Sequence, residues 1–337
     1  MSAHSIASPS DSTAHVVGVP RRPMKFDDYI QPMPLRPYGP MTEEEYHRYP
    51  AVSATILKQR TQAEMLWQKL KPESESTTAL ATGSLLHAAV LEPHKFRDGE
   101  FDQHFVVWEE TKSLDTKAAE KGRADNPGKL LITPEMVQLA AEMRSLALEQ
   151  NPQIMRLLSS PNGLPEASLI GYDPDFCIRR KIRVDYLPRT EISGKMAFGN
   201  YLLDIKTTAF HVADFEKEAW KHGYYLQAAY YLDTHELFTS HRPDWFYFLV
   251  VSKAQPVMAR IYGMRNLRRN DPLYEKSKLR IARETLGLDA TTRPGRIAMF
   301  TAAVCEHCAE MGDHPTPKEL RRTWQAYEQE TEIFEIL

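Results

Sequence analysis

Residues 167 to 251 restrict the fold most, because the chain here changes from helical spacing to period two. ASLIGYD (167–173) and FCIRRKIRVDYL (176–187) read as neighbouring strands joined by a turn at Asp173-Pro174-Asp175. In the second strand Ile178, Ile182, Val184 and Tyr186 point one way, and Lys181, Arg183 and Asp185 the other. A loop containing SGKMAFGN leads into a third strand, YLLDIKT (201–207), with Leu203 and Ile205 on one side and Asp204 and Lys206 on the other. A helix from about Val212 to His235 follows, and then WFYFLVV (245–251) and VMARIYG (257–263) read again as strands.

The flanks are helical. SATILKQRTQAEMLWQKL opens with Ser53 as an N-cap candidate, and ALATGSLLHAAVLEPHKF (79–96) predicts a helix ended by Pro93. A third helix spans about Pro134 to Gln150, a basic one lies near 272–286, and the tail also reads as helix. Residues 109–129 are polar and irregular, and are expected to form a flexible loop. Residues 1–40 are rich in Ser, Pro, His and Ala and read as a flexible extension, with order expected from Met41. The order helices, strands, helix, strands, helices predicts an α/β fold with a central mixed β-sheet flanked by helices. It forms one domain over 41–337, divided into N-terminal helices 41–150, a core 165–264 and a helical part 270–337.

Charge narrows the function classes. The 337 residues carry 42 Lys and Arg against 45 Asp and Glu, a net charge of -3, which excludes a strongly basic coating but not a local basic groove. Three cysteines are too few for a disulfide scaffold, and no apolar run approaches the roughly 18 residues of a membrane span. The N-terminus lacks a basic segment followed by an apolar one, so the expectation is a cytoplasmic protein with no membrane partner.

The chemistry concentrates at Asp185 and at Asp204-Ile205-Lys206. Residues i and i+2 of a strand lie roughly 6.5 Å apart on one face, so Asp204 and Lys206 address a common cleft. If the two strands pair, Asp185 lies beside Asp204, and two adjacent carboxylates make a hard oxygen site of the kind Mg²⁺ takes. Lys206 is then placed to orient a water and to stabilise charge on a phosphate. Taken alone, an Asp-X-Lys is more commonly a surface ion pair.

Its company changes that reading. GSLLHAAVLEP with Gly83 and His87 four apart, an upstream Glu166, RKIRVDYL, LLDIKTT and YYLQAAYYLD occur in one order. This resembles the PD-(D/E)XK nuclease superfamily, in particular the RecE (exodeoxyribonuclease VIII) C-terminal and phage recombination exonucleases, with a relation to the RecB and Cas4 nuclease domains. YHRYPAVSATILKQ also resembles the family's N-terminal helix entry, and the likeness covers roughly residues 43–251. It implies Asp185 and Asp204 as metal ligands, His87 and the carbonyl of Ile205 as further ones, and Glu166 as a direct or water-mediated ligand. Lys206 would act on the nucleophilic water, while Gln227 and Tyr231, four apart on one helix face, would hold a DNA phosphate or support the lysine, with Arg183 beside them.

The implied activity is Mg²⁺-dependent hydrolysis of linear double-stranded DNA from its ends, with Mn²⁺ as the alternative ion. The single-stranded tails would serve recombination in a bacterial or phage-infected cell, through a single-strand annealing protein as partner. Relatives of this type form rings, which implies a homo-oligomer. The competing readings are a Cas4-like or structure-specific nuclease and a non-catalytic DNA-binding module on the same fold. Cys305-Glu-His-Cys308 is a CxxC, but with Cys177 the chain has only three cysteines, so no four-cysteine iron–sulfur cluster is expected. RIYGMRNLRRN and the following Lys276, Lys278, Arg280 and Arg283 form a basic cluster, either a solvated helix face or a track for a DNA backbone.

Overall fold

A computed structural model describes residues 27–39, 41–70, 77–254, 256–289 and 295–311. Six strands form the central sheet in chain order: β1 (Arg36–Gly39), β2 (Leu164–Asp173), β3 (Ile178–Leu187), β4 (Tyr201–Thr208), β5 (Trp245–Ser252) and β6 (Ala259–Arg265). Every neighbouring pair is antiparallel except β4 and β5, which run parallel through the intervening helix, so the sheet is mixed as expected. Helices cover both faces. On one side lie α1 (Thr78–Leu91) and α2 (Pro134–Leu148), and on the other α3 (Tyr224–Thr239) with α4 (Lys278–Leu286) packed against it.

That double cover explains β3, in which Arg180, Lys181 and Asp185 are buried instead of facing solvent. Arg180 pairs with Asp173 (2.8 Å) and Asp233 (2.6 Å). Lys181 donates to the carbonyls of Tyr46, His47 and Tyr49 at 2.5, 3.1 and 2.9 Å, neutralising the C-terminal end of the Glu43–Arg48 helix. A buried charge persists only with partners of this kind.

Two sequence expectations need correction. The extension is not loose up to residue 40: Asp27–Ile30 is helical and β1 adds to the sheet edge beside β2. Single tyrosines dock this segment, which therefore shows no apolar periodicity. Tyr29 is 2% exposed and meets Phe300 edge-on at 5.7 Å, and Tyr38 bonds His235. The supposed loop 109–129 contains a helix, Lys117–Asp125, capped by Thr116. Only Ala119 and Gly122 of it are buried, which leaves no hydrophobic signature, and Gly122 lies under Trp108, where a Cβ would come within 2.7 Å of the indole. Cys177 is exposed, whereas the side chains of Cys305 and Cys308 lie outside the described residues. Among the described residues no helix is long and apolar enough to cross a membrane.

The fully buried His235 provides a pH test of the α3 packing. Its Nδ1 meets the Tyr38 hydroxyl at 2.8 Å and its Nε2 meets His241 Nδ1 at 3.2 Å. Burial, reinforced by His241, pushes its pKa down to about 3. Above the unfolded value of about 6.5 both states are neutral, and below it only the unfolded chain takes up the proton, so stability falls as pH drops. Between pH 6.5 and 5 the loss should approach about 2 kcal/mol. Thermal melts across this range should show His235→Gln with a flatter dependence than the parent, and parallel curves would exclude His235 as the responsible group.

Candidate metal and catalytic site

Strand register brings three carboxylates into one row. Pro165 pairs with Tyr186 and Ala167 with Val184, which sets Glu166 opposite Asp185, while Tyr186 pairs with Leu203, which sets Asp185 beside Asp204. The expected adjacency of Asp185 and Asp204 is therefore present. Glu166 belongs to β2, and its φ of 48° breaks the ladder there. A left-handed backbone at a residue with a side chain costs on the order of 1–3 kcal/mol, and such strain gathers at functional positions.

His87 enters from α1. Gly83, one turn earlier, faces β4 on the same side of α1, where a Cβ would make an ordinary contact of 3.9 Å with Thr207 Oγ1. His87 Nδ1 is 3.2 Å from Glu166 Oε1, and its Nε2 is 3.2 Å from the Ile205 carbonyl and 3.6 Å from Asp185 Oδ2. Ligand atoms of His87, Glu166 and Asp185 all lie within 4.8 Å of one another. The backbone amide of Ile205 donates to Asp185 Oδ2 at 2.6 Å, and Arg183 Nε donates to Glu166 Oε2 at 2.7 Å. Arg183 thus aims the glutamate and also reaches the Met41 carbonyl at 3.3 Å.

Asp204 stands next to this group but is turned toward α3. Its Oδ1 accepts from Gln227 Nε2 at 2.6 Å. Its Oδ2 is ion-paired with the Lys206 ammonium at 2.5 Å and buried. The closest cluster is therefore His87–Glu166–Asp185, and Asp204 borders it instead of forming its centre with Asp185. Tyr231, one turn further along α3, is 8% exposed and packs edge-on against Phe246 at 6.0 Å. Burial, then Tyr46, Asp204 and Asp185, push its pKa well up, so its hydroxyl lies within reach of the charges of the acids.

Sequence reasoning missed Lys58 and Tyr224. Lys58 Nζ donates to Gln227 Oε1 at 2.9 Å, which turns the other end of that amide toward Asp204. Lys58 and Lys206 lie over the Tyr224 ring at 4.9 and 5.0 Å. The available signal was the lysine that follows the apolar turn in SATILKQ.

The charges are mutually dependent. Burial alone would lower the His87 pKa, but Asp185 and the bond to Glu166 outweigh it and raise the imidazole to about 9. Burial, then Asp204, pushes Asp185 up to about 7. Burial would raise Glu166, yet His87 and Arg183 hold it down at about 2. Burial and the neighbouring Lys206 lower Lys58 to about 7. For Lys206 itself burial is overcome by Asp204 and Asp185, which raise it. Two carboxylates, an imidazole and a backbone carbonyl, with a third carboxylate held beside them by Lys206, fit a hard divalent cation. His87, Glu166 and Asp185 would hold it, with the Ile205 carbonyl and Asp204 Oδ2 alongside.

Gln227 joins the two lysines to Asp204. Gln227→Leu should leave Asp204 Oδ1 and one Lys58 proton without partners, at a cost of about 2–3 kcal/mol. A thermal melt checks this loss, and an unchanged melting temperature would mean that water replaces the amide.

A family model described as "PDDEXK-like domain of unknown function (DUF3799)" matches residues 53–283, more than half of the chain. No curated protein matches the chain. Among solved structures, a crystal structure of a "Putative exonuclease" from Eubacterium rectale is similar at 17% identity, covering 83% of this chain and 96% of that one with a TM-score of 0.48. The family match spans His87, Glu166, Asp185, Asp204, Lys206 and Gln227 together, and on that extent the chain belongs to the PDDEXK-like DUF3799 family.

Proposed function

We propose that the protein is a divalent-metal-dependent deoxyribonuclease that hydrolyses phosphodiester bonds of linear double-stranded DNA from its ends and leaves single-stranded tails. The observation that carries this reading is the His87–Glu166–Asp185 cluster, with Lys206 anchored beside it on Asp204. Mg²⁺ or Mn²⁺, when bound, would polarise a phosphate oxygen and lower the pKa of water. Lys206 has protons free beyond its Asp204 contact, and orients the attacking water or meets the charge that grows on the phosphate. Gln227 and Lys58 hold Asp204 still, and Arg183 holds Glu166, so the donors need no reorganisation at the moment of reaction.

The test is digestion of end-labelled linear duplex DNA with Mg²⁺, Mn²⁺ or EDTA, beside a closed circle of the same sequence. Cleavage of the linear form that EDTA abolishes, with the circle intact, is expected. Cutting of the circle would favour the structure-specific nuclease. Failure with every ion would leave the non-catalytic DNA-binding module. The family resemblance also supports a ring-shaped homo-oligomer that feeds a single-strand annealing partner, and light scattering that returned a monomer would remove the ring.

A further inference from the structure

The outer edge of the sheet carries a second group of residues that the metal site does not use. On β5 and β6, Trp245 pairs with Arg265 and Tyr247 with Gly263. The Trp245 and Tyr247 rings stack at 5.7 Å and 7° between planes, and Tyr247 meets Tyr201 at 5.5 Å, giving a row of three half-buried aromatics. Gly263 makes the row possible. A Cβ there would lie 2.9 Å from Tyr247 Cε1 and 3.2 Å from Trp245 Cε3, so a side chain would displace both rings.

Trp245 also borders an open cavity of about 630 Å³ that Arg242, Arg265 and Arg268 line. Arg242 is fixed by Glu236 at 2.8 Å and the Asn266 carbonyl at 2.7 Å. The exposed side chains of Arg265 and Arg268 make no hydrogen bond or ion pair among the described residues. Of the two carboxylates in the wall, Asp271 is turned to the Leu273 amide at 2.9 Å, and Asp244 remains. Burial lowers the Arg242 pKa, Glu236 opposes this, and the nearby Arg283 and Arg268 lower it further, so positive charge is crowded here. Four other cations of the basic segment are engaged, Arg269 on Asp289 among them. Lys278 and Arg280 are spent on Glu216 and Glu284, and Arg283 on Asn266 and the Leu267 carbonyl.

A half-buried indole that lines the cavity, beside two free guanidinium groups, suits a strand whose bases are open for stacking and whose phosphates run alongside. A duplex offers the phosphates but hides the base faces. We propose that Trp245, Arg265 and Arg268 form a binding site for single-stranded DNA, separate from the metal centre. Tyr201 and Tyr247 pack on the sheet face of Leu203 and Ile205, whereas Asp204 faces Gln227 of α3. Trp245 is level with Tyr201, three residues or about 10 Å along β4 from Asp204. The choice of DNA as the polymer rests on the deoxyribonuclease reading, while binding is measured without cleavage.

The experiment is fluorescence anisotropy of a labelled oligothymidylate of about 12 nucleotides with the full chain in EDTA, beside a duplex of equal length. Trp245→Ala should weaken the single strand about 5- to 100-fold and the duplex little, and Trp245→Phe should restore most of the loss. The doubly substituted Arg265→Ala/Arg268→Ala chain, altered only at exposed positions, should reduce the slope of log affinity against log salt by about 1.4. Unchanged single-strand affinity in both variants would overturn the proposal. So would equal losses for single strand and duplex on Trp245→Ala. If the chain cuts no DNA yet shows the expected losses, the nuclease reading fails and this site stands.

Discussion

Lys206→Ala should reduce cleavage of end-labelled linear duplex DNA by at least about 10³-fold in single-turnover assays with Mg²⁺. Among the described residues the lysine is the only ammonium ion-paired with Asp204, which borders the His87–Glu166–Asp185 cluster. Lys58 is the nearest cation, but it is tied to Gln227 and sits across the Tyr224 ring. Removing Lys206 leaves Asp204, 2% exposed, with Gln227 as its remaining partner. The stability cost should be about 1–3 kcal/mol, because the lysine side chain is partly in solvent and water can enter. Asp204→Ala should lose activity to a similar degree, since the ammonium then has no anchor. A far-UV melt alongside the rate measurement separates lost chemistry from lost fold. Cleavage at the parental rate by either variant would overturn the assignment.

Much of this arrangement was legible in the sequence where local pattern and tertiary structure coincide. The alternation in RKIRVDYL and LLDIKTT placed two strands, and their adjacency followed once they were taken to pair, so Asp185 beside Asp204 was readable. The Gly83–His87 spacing is a helix-face property, and both residues face the sheet: Gly83 lies over Thr207 and His87 reaches the Ile205 carbonyl. Other features depend on departures from pattern. Glu166 looks like a loop residue because Pro165 precedes it and its backbone is left-handed, yet that kink is what turns it toward His87. Gln227 and Tyr231 share a helix face, but the amide bonds Asp204 directly whereas the buried phenol only feels the charges of Asp204 and Asp185. The spacing gives the shared face without the tilt of α3 over the sheet. Lys58 comes to the site through a contact 169 positions away in the chain, which no local signal encodes. The N-terminal strand was missed because Tyr29 and Tyr38 anchor it singly, and two separated tyrosines make no period.

Asp185→Asn should separate metal binding from folding. Asp185 sits in a row with Glu166 on one side and Asp204 on the other, and is 8% exposed, so its charge is opposed by burial and by two like neighbours. The asparagine oxygen can still accept from the Ile205 amide, which is the one backbone bond the carboxylate makes. In EDTA the variant should therefore melt at or above the parental temperature. Mn²⁺ at 100 times its dissociation constant should stabilise the parent by about 2.7 kcal/mol, a rise of several degrees. The variant should not respond, because Asn supplies a neutral oxygen where the cation needs an anionic one, and only His87 and Glu166 remain of the cluster. Thermal melts of both chains, with EDTA and across a Mn²⁺ series, decide the matter without reference to catalysis. An equal Mn²⁺ response in the variant would place the ion away from Asp185. A melting temperature well below the parent in EDTA would mean that the carboxylate serves the fold, and that the crowding of three acids across β2, β3 and β4 is offset by His87 and Lys206 even without metal.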